Sequence, residues 1–135
     1  MLMVRTELRH SPIHGIGLFA AENISQGTLV WKFIPGVDQK LAATDVESLP
    51  TFAKEQILKY AYRSKESDVW ILCADDARFF NHSDQPNMVD DPMEEGLTIA
   101  AREINKGEEL TSNYRTYDAD FDQRFHACQK PGTSD

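Results

Sequence analysis

Cysteine is nearly missing from this 135-residue chain: Cys73 and Cys128 stand alone, with no C-x-x-C and no neighbouring ligand cluster. Neither a disulfide framework nor a zinc site follows from them. His10, His14, His82 and His126 are scattered in the same way, so no metal site is expected. Long apolar runs are missing too, and none approaches the ~18 residues that a membrane span needs. The opening "MLMVRTELRH" lacks the apolar core of a signal peptide, so the sequons at Asn23 and Asn81 carry no weight and the chain is expected in the cytoplasm. Basic residues are in deficit, 14 Lys and Arg against 22 Asp and Glu, for a net charge of -8. Nucleic acid is therefore a poor candidate partner, because phosphates want a basic footprint. A lysine-rich protein or peptide suits better, since opposite charge speeds encounter, although solubility alone explains the same composition equally well.

What is present suggests one globular domain of ordinary composition, with 41% hydrophobic and 27% charged residues. A chain of this length can bury a real core without staples. "LMVRTEL" alternates like a half-buried strand, and "LFAAENISQGTLVWKF" reads as strand, turn and strand with Gly27 at the turn. Residues 34 to 44 look like loop. From Leu49 the period changes: Leu49, Ala53, Ile57, Tyr60 and Ala61 recur at helical spacing, with Thr51 as the candidate N-cap. "VWILCA", "LTIAA" and "EELTSNY" supply further strands, and Phe121 and Phe125 suggest a short helix in the tail. "AAENISQG" (20 to 27) and "AAREINKG" (100 to 107) share A-A-x-x-I-x-x-G, as if one hairpin design were used twice. The expected class is mainly β, in the α+β sense, with many short strands and one or two helices.

Three stretches can carry chemistry. "HGIGLFA" places Gly15 and Gly17 around Ile16, so backbone there can bend tightly and approach a ligand. It has no third glycine, so it is not a dinucleotide fingerprint, and no G-K-[ST] follows. "RFFNHSDQPN" (78 to 87) is poor as a helix and poor as a strand; Asn81 and His82 offer an amide and an imidazole, or else they merely satisfy a turn. "GEELTSNY" (107 to 114) ends a strand on Tyr114 behind the polar Ser112 and Asn113. Each alone has an ordinary structural reading as a turn or a rim.

Together, in this order, G-x-G, N-H-S-x-x-P-N and G-E-E-L-x-x-x-Y resemble the SET-domain protein lysine methyltransferases, over roughly residues 3 to 118. More closely, the chain looks like the small stand-alone SET proteins of bacteria and large viruses, which lack cysteine-rich zinc modules. The resemblance implies a SET-domain β-clip with a knot-like crossing, residues 1–118 forming the domain and 119–135 a tail whose short helix covers the active site. It implies methyl transfer from S-adenosylmethionine to lysine ε-amines; the alternative is an inactive SET-fold module that binds a basic protein or peptide. Gly15, Ile16 and Gly17 would then offer backbone to the cofactor's methionine end. Asn81 and His82 would hold the adenosyl part, with Arg78 buttressing the crossing. Tyr114 corresponds to the catalytic tyrosine, bordering both cofactor and amine. Tyr60 falls where relatives place a channel tyrosine, with Tyr62 as the other choice. Many relatives carry Phe or Tyr two positions before the catalytic tyrosine; Ser112 here implies a roomier channel and di- or trimethylation. Tyr117, Phe121 and Phe125 would form an aromatic lid, or the two phenylalanines would only pin a terminal helix. Some minimal relatives pair up, so a homodimer is also an expectation.

Overall fold

The computed structural model describes residues 1–65 and 69–119. The tail expectations on Phe121 and Phe125 lie outside the described residues. Strands β1 (Thr6–His10) and β2 (Ile16–Ala20) form an antiparallel pair. Next come β3 (Leu29–Lys32), β4 (Gln39–Ala42), helices α1 (Ala43–Glu47) and α2 (Thr51–Tyr60), β5 (Tyr62–Arg63) and β6 (Val69–Leu72). A 3-10 turn at Asp76–Phe79 leads to β7 (Asn81–His82), followed by β8 (Met88–Asp90), β9 (Leu97–Ala100), β10 (Thr111–Ser112) and a second 3-10 turn, Tyr114–Thr116. These strands make four small sheets, ordered β1-β2, β3-β9-β8, β4-β6-β5 and β7-β10. The mainly β expectation with few helices holds. No described helix is long and apolar enough to cross a membrane.

The two A-A-x-x-I-x-x-G copies do not close on themselves as hairpins; they exchange partners. Ile24 and Ile104 bond each other's backbone reciprocally at 2.8 Å. Ala20 N–H donates to the Glu108 carbonyl, and Ala100 N–H to the Thr28 carbonyl, at 2.9 Å each. Gly27 and Gly107 N–H groups donate to the carbonyls of Ala100 and Ala20, each at 2.8 Å. Each of these bonds thus has its mate eighty positions along the chain. Both glycines adopt left-handed φ, 85° and 93°, which a side chain would resist. Ala20, Ile24, Ala100 and Ile104 all enter the main core with Leu18, Val30, Met88 and Leu110. Repetition at the sequence level is therefore one buried two-fold joint that ties the N-terminal third to the C-terminal segment carrying β10.

Other elements depart from the periodic reading. Residues 34 to 44, expected as loop, contain β4 and the first two residues of α1. "QKLA" has no alternation to announce a strand; it becomes one because β6 offers a partner, pairing Leu41 with Trp70. The first strand begins at Thr6, and Leu2 only bridges Trp31. Helix α2 is where the spacing placed it, but Pro50, not Thr51, is its N-cap and no side chain caps it. Ala53, expected on the buried stripe, is exposed, while Ile57 and Leu58 pack half-buried on Val46, Ala61 and Trp70.

Candidate active site

The stretch that is neither helix nor strand by pattern is built from short, locally capped pieces. Asp75 accepts the Ala77 N–H at 3.1 Å and starts the 3-10 turn; the same carboxylate takes the Leu2 N–H at 2.8 Å. After Phe80 the chain runs extended for two residues, and Ser83 Oγ then turns it by accepting the Gln85 N–H at 3.0 Å. In those two extended residues, Asn81 and His82 lie parallel to Thr111 and Ser112. Two residues are too few for a ladder to hold alone. Asn87, buried at 3% exposure, supplies what is missing. Its Nδ2 donates to the Glu109 carbonyl at 2.8 Å and its Oδ1 accepts the Thr111 N–H at 2.9 Å, as a strand neighbour would.

A third segment meets this crossing. Asn81 Nδ2 points at the carbonyls of His14 (3.1 Å) and Ile16 (3.4 Å) and at Glu109 Oε2 (2.8 Å). Gly15 is left-handed at φ 47° with open space around it, while Ile16 is exposed. Gly17 is needed for a different reason: a Cβ there would stand 2.4 Å from Glu109 Oε2. Thus the glycine arm, the N-H-S stretch and the G-E-E-L segment converge within one hydrogen-bonding cluster.

Beside it lie the aromatic groups. His82 Nδ1 accepts the Tyr114 N–H at 3.1 Å, so the ring proton belongs on Nε2, which faces an Asp84 carboxylate oxygen at 3.0 Å. The Tyr114 hydroxyl donates to the Phe80 carbonyl. Ring centroids of Tyr114 and Tyr117 are 5.7 Å apart, and those of Tyr117 and Tyr62 are 4.9 Å apart. The Ser112 and Tyr117 hydroxyls bond at 2.8 Å, so the room left by a small residue at 112 is occupied by a phenol. Burial pushes the Tyr62 and Tyr117 phenols well above their ordinary value, keeping both protonated at neutral pH. A cavity of about 250 Å³ adjoins this wall, lined by Met88, Val89 and Asp90 on one side and Ser112, Thr116 and Tyr117 on the other.

Of the residues singled out from sequence, the fold gathers Gly15, Ile16, Gly17, Asn81, His82, Ser112 and Tyr114, and adds Tyr62 and Tyr117. Tyr60 stands apart from this tyrosine group, edge-on to Phe79 at 6.0 Å and beneath the Arg78 guanidinium at 4.9 Å. Arg78 donates to the Cys73 carbonyl at 2.7 Å, so it ties the 3-10 turn to the end of β6. Three residues with structural command of the site were not singled out: Ser11, Asn87 and Glu109. Asn87 and Glu109 lie inside quoted motifs, so the signal was present. Nothing in their spacing says which main-chain groups the side chains would reach. Among the described residues no group of three His, Cys, Asp or Glu is placed to hold a metal ion.

Comparison with known proteins places this geometry. The family model described as SET domain matches residues 15–115. Histone-lysine N-methyltransferase 2D of Homo sapiens is 30% identical over 126 residues, covering 90% of this chain and 2% of that protein. The H3 lysine-4 specific histone-lysine N-methyltransferase of Schizosaccharomyces pombe is 35% identical over 114 residues, covering 78% of this chain and 12% of that protein. The chain therefore spans only a small fraction of the length of these relatives. A chain in the crystal structure of an active polycomb repressive complex 2 in the basal state aligns with TM-score 0.60 at 22% identity, over 82% of this chain and 15% of that one, a likeness of fold. The matched segment runs from the glycine arm through the crossing to the tyrosine that follows it, and the chain belongs to the SET-domain family.

Proposed function

We propose that this domain transfers a methyl group from S-adenosylmethionine to the ε-amine of lysine in a basic protein. The observation that carries the reading is the convergence of the Gly15–Gly17 arm, Asn81 and His82, and Tyr114 at one parallel crossing. The relatives named above are histone-lysine methyltransferases, and the net charge of -8 favours a lysine-rich substrate.

The residues fit such a cofactor. Gly15 has open space around it, Ile16 is exposed, and the Asn81 amide oxygen has no donor among the described residues. The His82 ring, by contrast, is engaged at both nitrogens. Its role is to fix the main chain of Tyr114, and recognition of an adenosyl group at this position falls to the backbone. When bound, the cofactor supplies an electrophilic methyl on a cationic sulfur. Everything else is positioning and desolvation by the chain itself. A lysine amine has an ordinary pKa near ~10.4 and reacts only after losing its proton. Tyr62 and Tyr117 stay neutral, so neither acts as a base near pH 7. The amine must instead be neutralised by removal from water beside a positive charge, the proton leaving to solvent. Tyr114 orients the amine, and alignment supplies much of the rate. Tyr62, Tyr117 and Ser112 form the channel wall, and the Ser112–Tyr117 hydroxyl pair argues for fewer added methyls than Ser112 alone implies.

We also propose that the domain works without flanking zinc modules, as the small stand-alone SET proteins do. Action in the cytoplasm and pairing of two copies belong to the same proposal. Titration of the purified protein with S-adenosylmethionine, alongside His82→Ala, tests the cofactor assignment. Micromolar binding that weakens at least ~10-fold in the variant is the expected result. Absence of binding to the wild type removes the reading.

A further inference from the structure

We infer that Glu109 is a positioning residue that sets cofactor affinity by clamping the glycine arm against the crossing. This rests on the proposed use of the arm as part of the S-adenosylmethionine site. Residues 12–16 are all exposed, and the left-handed turn at Gly15 has no side-chain packing to hold it. What fixes the arm is a relay of polar contacts that ends on one carboxylate. Ser11 Oγ donates to Glu109, with 2.7 and 2.8 Å to the two carboxylate oxygens, and accepts the N–H groups of Ile13 (3.0 Å) and His14 (3.4 Å). The Ser11 N–H closes the arm onto the Gly15 carbonyl at 2.8 Å. On the far side, Asn81 Nδ2 donates to the same Glu109 carboxylate at 2.8 Å while reaching the His14 and Ile16 carbonyls. Glu109 itself is held from below, its carbonyl bonded by Asn87 and its flanking Leu110 N–H by the Leu18 carbonyl at 2.7 Å.

Gly17 completes the argument. Its Cβ would meet Glu109 Oε2 at 2.4 Å and Ser11 Cβ at 3.0 Å. The second glycine of the G-x-G therefore makes room for this carboxylate, whereas the first supplies the left-handed turn. Bonds to an ionised acceptor are roughly twice as strong as neutral ones. One carboxylate that takes two side-chain donors from segments 70 residues apart in sequence (Ser11 and Asn81, 81 minus 11) is a compact way to fix an exposed arm. The Glu109 carboxylate bonds Ser11 and Asn81, and its assigned part is to hold the arm, not to take part in the methyl-transfer step.

The test compares wild type, Glu109→Gln, Glu109→Ala and Ser11→Ala. Amide hydrogen exchange at Ile13 and His14 reports the arm without any cofactor. Calorimetric titration with S-adenosylmethionine reports affinity. Glu109→Ala should speed exchange at both amides by ~10-fold or more and weaken binding by a similar factor, with turnover at saturating cofactor within about 3-fold of wild type. Glu109→Gln keeps an acceptor for Asn81 and should recover part of both losses. Ser11→Ala leaves the crossing intact and should speed exchange even if Glu109→Ala fails to fold. Unchanged exchange and unchanged affinity in the folded variants overturn the inference. Faster exchange in a protein whose wild type binds no S-adenosylmethionine overturns the functional reading and the affinity role of Glu109, and leaves the clamp as a structural fact.

Discussion

Asn87→Ala removes the side chain that stands in for a strand between β8 and the G-E-E-L segment. Two main-chain groups lose their partners: the Thr111 N–H, bonded at 2.9 Å in a buried setting, and the part-buried Glu109 carbonyl, bonded at 2.8 Å. A buried group left unsatisfied costs about 1–3 kcal/mol, with the upper part of that range for the N–H and the lower part for the wetter carbonyl. The sum is about 3–5 kcal/mol. For a domain of this size, 1 kcal/mol corresponds to roughly 4 °C in Tm, so a fall of about 12–20 °C is expected. Urea denaturation with a constant m-value measures the free energy directly. Asn87→Asp is the informative control. It keeps an acceptor for Thr111 but has no proton for the Glu109 carbonyl, so it should fall between Ala and wild type. A loss under about 0.5 kcal/mol for Asn87→Ala would refute the view that this amide holds the crossing together.

The two-fold joint makes Ile24→Ala and Ile104→Ala near-equivalent, because the two side chains are 2% and 0% exposed in one core. Each should cost about 2–5 kcal/mol, and values that differ by more than ~2 kcal/mol would contradict the pseudo-symmetry. Burial raises the Asp90 carboxyl above its ordinary value of 3.8, against the lowering pull of Thr116 and Thr98. The folded state then holds its proton longer than the unfolded one, so stability falls as pH rises from 3.8 through the raised value. Asp90→Asn should raise Tm at pH 7 and lose that advantage below pH ~4; a lower Tm at pH 7 would contradict the sign. Ser112→Ala and Tyr117→Phe break one bond from either side, so a double-mutant cycle should return a coupling of about 0.5–1.5 kcal/mol, and additive losses would remove the pairing. If Tyr117 fills the space beside Ser112, both variants should also shift the methyl-lysine products to higher states.

Several parts of this architecture were legible from local chemistry. The turn at Gly27, strand β6 and helix α2 each follow from a short-range signal, and the ordered motifs announced the crossing. What sequence could not convey is partnership. Copies of A-A-x-x-I-x-x-G look like two hairpins until Ile24 is found bonded to Ile104, because local pattern reports strand and turn but not which strand is adjacent. Residues 39 to 42 are a strand only through pairing with β6. Within the site, His82 was read as a ligand group, yet both its nitrogens serve the chain. Gly17 was read as room for a ligand, yet it clears the Glu109 carboxylate. Tyr62 and Tyr60 were indistinguishable by spacing. They diverge because Tyr60 ends α2 while Tyr62 opens β5 and packs against Tyr117.

The central claim is that the crossing presents Tyr114 to a lysine amine for methyl transfer. It is tested most directly by incubating wild type and Tyr114→Phe with methyl-labelled S-adenosylmethionine and a lysine-rich protein, then identifying the labelled residue by mass spectrometry. The account predicts label on lysine ε-nitrogen with the wild type, and at least ~10²-fold less with Tyr114→Phe at retained cofactor binding. Cofactor binding without any methyl-lysine from the wild type, or equal transfer by the variant, would contradict it.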